Sequence, residues 1–333
     1  MTFPTFDRPI LALETSCDET AAAVVLGRRV LSNAVASQMD LHAQWGGVVP
    51  EAAARAHVEA LLPTIEAALK AVPLDEIGAI AVTNRPGLVG ALSVGVTAAK
   101  ALAFARGLPL LGVHHLEGHL SSVFALEATI PFPHGALIVS GGHTELVEVR
   151  APGKYRILGA TRDDAAGEAF DKGARVLGLG YPGGPAIQQA ALAGDPKRYP
   201  LPKGLSGETL DFSFSGLKTA VLRLAEKEGD RLNVADAAAS LQSTIARVLT
   251  ERALRAVRAF DLPALTLVGG VAANRALRES LAAACEKEGI AFFTPPFELC
   301  TDNAAMIGLA AAPRLARGER DDISLEASSN ADL

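Results

Sequence analysis

Aromatic side chains are scarce in this chain. Its 333 residues include one Trp and three Tyr, and aromatics make up 5% of the total. Cysteine is scarcer still. Cys17, Cys285 and Cys300 are odd in number, far apart and in no CxxC pair, which argues against a disulfide framework and for a reducing compartment. No run of 18 apolar residues occurs, so no segment is expected to span a membrane. The opening MTFPTFDRPILALETSCDET lacks the basic start and apolar run of a signal peptide. Positive charge is also short. A formal net charge of −6 opposes a free-standing nucleic-acid binder, while leaving room for a local basic patch or a partner that supplies one.

Apolar residues make up 49% of the chain and charged residues 20%, which is the balance of a globular protein. Its 31 glycines, with few aromatics, suit an α/β fold with tight turns. The length exceeds one ordinary core and predicts two domains.

Two stretches resemble each other at a spacing of about 126 residues. PILALETSCDETAAAVVLGRRVLSNAVAS starts at Pro9, and GALIVSGGHTELVEVRAPGKYRILGATRD starts at Gly135. Each reads as an apolar strand, a polar turn, a second strand, a turn with basic residues and a third strand. Amphipathic helices and short apolar strands alternate after each meander, so the unit is βββαβα, present twice. The first lobe is expected over 1–134, completed by a C-terminal helix over 302–318. The second is expected over 135–301, with an insertion around 180–232. The polar tail, 319–333, reads as frayed. This duplicated α/β pattern resembles the actin, sugar-kinase and heat-shock ATPase superfamily (ASKHA, ribonuclease-H-like folds), in which the ligand sits in the interlobe cleft.

Several stretches carry candidate chemistry. VSGGHTE (139–145) reads either as a plain glycine-rich hairpin or as a turn whose Ser140, Gly141 and Gly142 present N–H groups to an anion. ETSCDET (14–20) is the matching turn, with Glu14, Asp18 and Glu19. Three carboxylates there would repel a phosphate unless a metal or a partner intervened. LVGGVAANRALRE places Asn274 near a helix start, which favours an anion. Asp171, followed by Gly183 and Gly184, can hold ribose hydroxyls or be an exposed helix residue. DFSFSGLKTAV (211–221) reads as an irregular strand or as a lid ending in Lys218. Asp302 in CTDN reads as a helix N-cap or as a ligand.

VHHLEGHL (113–120) holds three of the chain's seven histidines. His115 and His119 are four apart, one helical turn on one face. A metalloprotease reads H-E-x-x-H, but here Glu117 comes two after His115, and Gly118 interrupts the reverse pattern from His114. The pair therefore lacks a protease base but can still ligate a metal, given a third ligand such as Asp302.

Taken in order, ETSCDET, GGVVPEAAARAH, VHHLEGHL, VSGGHTE, EAFDKGARVLGLGYPGGP, FSFSGLKTAV, GGVAANRALR and CTDNAAMIG resemble the bacterial tRNA N6-adenosine threonylcarbamoyltransferase family, TsaD, once grouped as glycoproteases. The resemblance runs from about Ile10 to Ala311. It implies transfer of a threonylcarbamoyl group from threonylcarbamoyl-AMP to N6 of the adenosine beside the anticodon, in tRNAs reading codons that start with A, with release of AMP. It implies metal ligands at His115, His119 and Asp302, with Fe(II) the expected metal and Zn(II) the alternative. It implies adenylate contacts at Ile138, Val139, Ser140, Gly141, Gly142, Asp171, Gly184 and Asn274. Gln188 stands where some members carry an acidic residue. Glu14 and His143 are the candidates for the general base. Basic residues such as Arg8, Arg28, Arg29, Lys203 and Lys218 read either as ordinary solvated surface charges or as local contributors to tRNA binding. The implied partners are tRNA, a paralogous subunit (TsaB) and a small ATPase (TsaE), with no membrane and a cytoplasmic setting. The competing readings are an acyl or sugar kinase of the same fold, a metallopeptidase and a non-catalytic scaffold paralogue.

Overall fold

The computed structural model describes residues 3–333. Its contacts separate two units. The first runs to Ile130 and includes Ala151–Lys154 and Pro295–Leu333; the second comprises Pro131–Arg150 and Tyr155–Thr294.

The first unit opens with β1 (Ile10–Glu14), β2 (Glu19–Leu26) and β3 (Arg29–Ser37). There follow α1 (Met39–Ala43), α2 (Pro50–Ala68), β4 (Ala79–Arg85), α3 (Val89–Arg106), β5 (Leu110–His114) and α4 (His115–Ser121). The sheet order is β3-β2-β1-β4-β5. β1, β2 and β3 form an antiparallel meander, and β4 and β5 add in parallel to β1.

The second unit repeats this plan with β6 (His134–Val139), β7 (Thr144–Ala151) and β8 (Lys154–Ala160). It continues with α5 (Ala166–Val176), α6 (Gly183–Ala191), α7 (Ser215–Glu228), α8 (Val234–Ala259), β9 (Ala264–Val268), α9 (Arg275–Lys287) and β10 (Ala291–Phe293). Its sheet order, read from the meander edge, is β8-β7-β6-β9-β10, so the two sheets match strand for strand. Relative to the first unit, α6 and α7 are the added elements. The final helix, α10 (Ala304–Ala316), belongs to the first unit.

The period of two along a strand explains how the first sheet is covered. Ile10 and Ala12 of β1, with Ala21, Ala23 and Val25 of β2, face one core shared with α10. Leu11, Leu13, Ala22 and Val24 face another, shared with Leu61 and Ile65 of α2 and Val96 and Ala99 of α3. The α10 side is lined mostly by alanine, so the helix packs close to the sheet. That is how a chain poor in aromatics fills its core. By length and composition α3 is apolar enough to cross a membrane, although no unbroken run of 18 apolar residues exists. Its Ala91, Leu92, Val96, Ala99 and Ala103 are buried, and it packs against β4 and α2.

Two local expectations give way. The tail is not frayed. Asp321 pairs antiparallel with Leu110 on the edge strand β5, and Ser328 N–H donates to Asn84 O at 2.9 Å. Leu325 and Ala327 pack against the α2–α3 core. Backbone pairing with a sheet edge needs no apolar pattern, so composition hides it. DFSFSGLKTAV is not an irregular strand. Phe212 makes a single bridge to Thr161, and α7 begins at Ser215. Asp163 starts that helix from a distance, accepting the N–H groups of Phe214 and Ser215 and the hydroxyls of Ser213 and Ser215.

Candidate functional site

In the first unit the chemistry gathers at the C-terminal ends of the parallel strands, the usual ligand edge of such sheets. β1 ends at Glu14 and β5 at His114, and α4 starts at once. His114 caps α4, its Nδ1 accepting Leu116 N–H at 3.2 Å, so the next residues wind directly into helix. His115 and His119 then fall on one face with ring centroids 4.7 Å apart.

Asp302 arrives from the other end of the sequence. The cap of α10 is Asn303, whose side chain accepts Met306 N–H at 2.9 Å. Asp302 is therefore not spent as an N-cap. Its Oδ1 lies 3.1 Å from His119 Nε2 and 3.5 Å from His115 Nε2. One ligand atom from each of the three lies within 4.8 Å of the others. Two ligands on one ion at about 2.1 Å stand roughly 3.0–3.5 Å apart, so the spacing suits a divalent metal.

The hydrogen bonding supports this fit independently. His119 is fully buried, yet among the described residues neither ring nitrogen has a hydrogen-bond partner. Nε2 is near Asp302 but poorly aligned with it for one, which is the arrangement of two ligands rather than of donor and acceptor. His115 Nδ1 sits 3.1 Å from Glu14 Oε2 and 3.1 Å from Ser16 Oγ. An ionised carboxylate only accepts, so Nδ1 carries a proton toward Glu14, which leaves Nε2, on the Asp302 side, as the atom that would ligate an ion. Glu14 is held in turn by Ser16 N–H and Thr83 Oγ1, both at 2.6 Å.

Charge adds to the case. Burial opposes ionisation of Asp302, but His115 and His119 hold its carboxyl well below the usual range. Burial likewise opposes the charge on Glu14, and His115 overrides it. Burial would depress His115, yet Asp302 and Glu14 raise it well above its ordinary value. Burial, with Asp302 and Asp18 nearby, pushes Glu19 up to about 10. Glu14 and Asp302, both kept ionised against burial, give the two imidazoles an anionic setting suited to a cation. Asp302 keeps 21% of its side chain exposed, against 9% and 0% for His115 and His119, so it forms the solvent side.

The second unit gathers its turns at the C-terminal ends of β6 and β9, which run parallel. Ile138 and Val139 are wholly buried in the ladder of β6 and support the turn rather than line it. Ser140 is committed too, its N–H donating to His143 O at 2.8 Å and its Oγ accepting His143 N–H at 3.1 Å. Gly141 and Gly142 are exposed, and nothing lies within 4 Å of where a Cβ would stand. They form the open part of the turn. His143 is half-buried at its end.

Asp171 on α5 accepts Gly183 N–H at 2.7 Å, joining α5 to the start of α6. A Cβ on Gly183 would stand 2.5 Å from Asp171 Cα, so only glycine allows this approach; Gly184 faces open space. Asn274 caps α9, accepting Leu277 N–H at 3.0 Å, and its Nδ2 donates to Gln242 Oε1 at 2.8 Å. Gln188 Oε1 accepts Arg275 N–H at 2.7 Å. Two of the N–H groups at the start of α9, those of Arg275 and Leu277, are thus satisfied from within. Gln188 has a defined task, tying α6 to α9.

Of the basic residues singled out, Arg8 donates to Ile77 O, Arg28 to Phe124 O, and Lys203 pairs with Glu251. Lys218 lies exposed on α7, and Arg29 is exposed at the start of β3. Sequence reasoning missed Ser16 and Thr83, which hold Glu14. Single hydroxyls at strand ends carry no local signal.

Comparison with known proteins follows the same lines. The family model for TsaD, tRNA N6-adenosine threonylcarbamoyltransferase, matches residues 29–309. A protein of that name from Anaeromyxobacter dehalogenans is 55% identical over 325 residues, covering 96% of this chain and 97% of its own. One from Synechococcus sp. is 54% identical over 337 residues, covering 97% and 92%. Among solved structures, full-length HypF in its phosphate- and nucleotide-bound form aligns with TM-score 0.62 at 13% identity, over 98% of this chain and 48% of that one. The activator of 2-hydroxyisocaproyl-CoA dehydratase from Clostridium difficile aligns with TM-score 0.55 at 13% identity, over 93% and 96%. At such identities the structural matches speak for the fold alone, a duplicated actin-like α/β architecture. The sequence matches speak for more: the chain belongs to the TsaD family, the tRNA N6-adenosine threonylcarbamoyltransferases.

Proposed function

We propose that the donor is threonylcarbamoyl-AMP and the acceptor N6 of the adenosine beside the anticodon, in tRNAs reading codons that start with A. The N6 amine attacks the carbamoyl carbon, the bond from that carbon to the phosphate oxygen breaks, and AMP leaves. A mixed anhydride is already activated, so the protein's task is mainly to hold and orient. Gly141 and Gly142 N–H groups receive the phosphate or acyl end. Asp171 holds the ribose, while Gly184 and the Gln188–Asn274 wall border the nucleoside.

His115, His119 and Asp302 hold one divalent metal, Fe(II) in the first instance and Zn(II) as the alternative, because imidazole and carboxylate ligands suit both. Such an ion, when bound, polarises a carbonyl or anchors the threonyl group. The supporting observation is the buried His119 with both nitrogens unbonded beside Asp302. Glu14 is fully committed to His115, Ser16 and Thr83, so between the two base candidates His143 is favoured.

The acidic chain suits a division of labour in which a paralogous subunit (TsaB) and a small ATPase (TsaE) complete the tRNA surface, while a TsaC-type enzyme makes the adenylate. A tRNA substrate and three free cysteines fit a cytoplasmic setting. The test is nucleoside mass spectrometry of unmodified tRNA incubated with threonylcarbamoyl-AMP, the partner proteins and this chain. Threonylcarbamoyladenosine and AMP in equal amounts are expected. ATP consumption with a sugar or acyl acceptor, and no tRNA product, would replace this reading by a kinase.

A further inference from the structure

Between the two metal-facing histidines lie Glu117 and Gly118, and the chemistry derived above uses neither. The helix that carries all four residues, α4, is seven residues long, too short to hold itself in place. Its position must be set by what it touches. The third metal-facing residue, Asp302, stands just ahead of α10, so the geometry of the triad depends on how α4 sits on α10.

Two contacts fix that relation. At Gly118 the helices nearly touch. A Cβ there would stand 2.7 Å from Ile307 Cδ1 and 3.1 Å from Met306 Cγ, both in the first turn of α10. This closest approach adjoins the 3.1 Å pair of His119 and Asp302. At the other end, Glu117 Oε2 accepts from Arg314 Nη1 at 3.0 Å, with the side chains only 7% and 15% exposed. Arg314 lies seven residues beyond Ile307, roughly 10 Å along the helix. The same guanidinium donates to Gly112 O on β5 at 3.2 Å and to Glu319 Oε2 at 2.8 Å. One contact sets the spacing of two helices; a second, a helix pitch or two away, sets their angle.

We propose that Glu117 and Gly118 are positioning residues for the metal centre. Gly118 admits α10 close enough to bring Asp302 to His119, and the Glu117–Arg314 ion pair locks the angle at which α4 presents both imidazoles. The inserted Glu-Gly that removes a protease base from this motif is, on this account, the brace of the site. The inference rests on the metal reading of His115, His119 and Asp302. Ligand distances tolerate only about 0.2 Å, so a small displacement of α4 is felt at the ion.

The test is Co(II) titration of the full-length chain against a competing chelator, with the visible Co(II) bands recorded as a readout of ligand geometry. Gly118→Ala should weaken Co(II) binding by about tenfold or more, the scale at which supporting residues act. Ile307→Val, which removes the opposing Cδ1, should restore binding in the Gly118→Ala background. Glu117→Gln should weaken binding and shift the bands while circular dichroism stays unchanged. His119→Ala serves as the ligand control. If Glu117→Gln and Gly118→Ala bind Co(II) like wild type with the same bands, the brace is refuted, even if both melt earlier. Should Gly118→Ala fail to fold, the Glu117→Gln affinity and bands decide. Wild type binding no better than His119→Ala would overturn the metal reading and the brace with it.

Discussion

Glu14 Oε2 and His115 Nδ1 stand 3.1 Å apart, and the opposite nitrogen of that ring, Nε2, stands 3.5 Å from Asp302. One carboxylate sets the tautomer from behind, and the other shares the front. With a cation bound in place of its second proton, the imidazole would turn its Nε2 lone pair to the ion, and Glu14 itself is anchored by Thr83 and Ser16.

Replacing Glu14 therefore acts on metal affinity first. Glu14→Gln is expected to weaken Zn(II) binding by about 10–100-fold, the usual effect of losing a carboxylate behind a ligating histidine. Competition with a chromogenic chelator measures it. Full metal content with a collapsed transfer rate would instead make Glu14 the base.

Divalent metal should stabilise the first unit. Glu14, Asp18, Glu19 and Asp302 are mutually repulsive there, as the raised Glu19 carboxyl records. At a free metal concentration about 100 times Kd, binding to the folded state alone adds about 2.7 kcal/mol. The chelated protein should melt earlier and recover on adding Zn(II), whereas Asp302→Asn should gain much less. Equal gains in both would place the ion elsewhere.

Gly183→Ala tests the joint between α5 and α6. The new methyl would stand 2.5 Å from Asp171 Cα, a backbone atom that cannot swing aside. A loss of about 1–3 kcal/mol in urea unfolding is expected, the cost of overpacking a fitted contact. AMP affinity should fall as well, since Asp171 moves with the joint. Wild-type stability and affinity would show the contact to be slack.

The buried His134 makes stability depend on pH. Burial holds its pKa at about 4, against 6.5 for an ordinary imidazole, and among the described residues its Nε2 has no hydrogen-bond partner. As pH falls below 6.5 the unfolded chain takes up a proton that the folded chain refuses until about 4. Over that window the unfolded state binds more protons, so stability drops by up to about 1.4 kcal/mol per pH unit from this residue. Above the window it contributes nothing. In urea unfolding between pH 7 and 5, His134→Phe should show a shallower loss than wild type. Parallel profiles would refute the assignment.

How much of this the sequence discloses depends on the reach of each interaction. The two meanders were legible because a strand buried on both faces is written as an unbroken apolar run, and the run occurs twice. The face shared by His115 and His119 was legible from their spacing alone. Asp302 was ambiguous by local rules, because a helix start wants an acceptor. Only the structure assigns that job to Asn303. Glu117 was legible only as a residue at the wrong spacing for a protease; its partner Arg314 lies nearly 200 positions away. The docked tail and the Asp163 cap of α7 went unseen for the same reason. Both join partners distant in the sequence, and each relies in part on backbone groups, which every residue has.

The most direct test of the central claim is to compare wild type with His115→Ala in the tRNA reaction, measuring bound metal and threonylcarbamoyladenosine on the same samples, with threonylcarbamoyl-AMP and the partner proteins supplied. The account predicts metal and product with wild type, and the loss of both in the variant. Product from a His115→Ala chain depleted of metal would contradict it, leaving the transferase but reducing the histidines to structure.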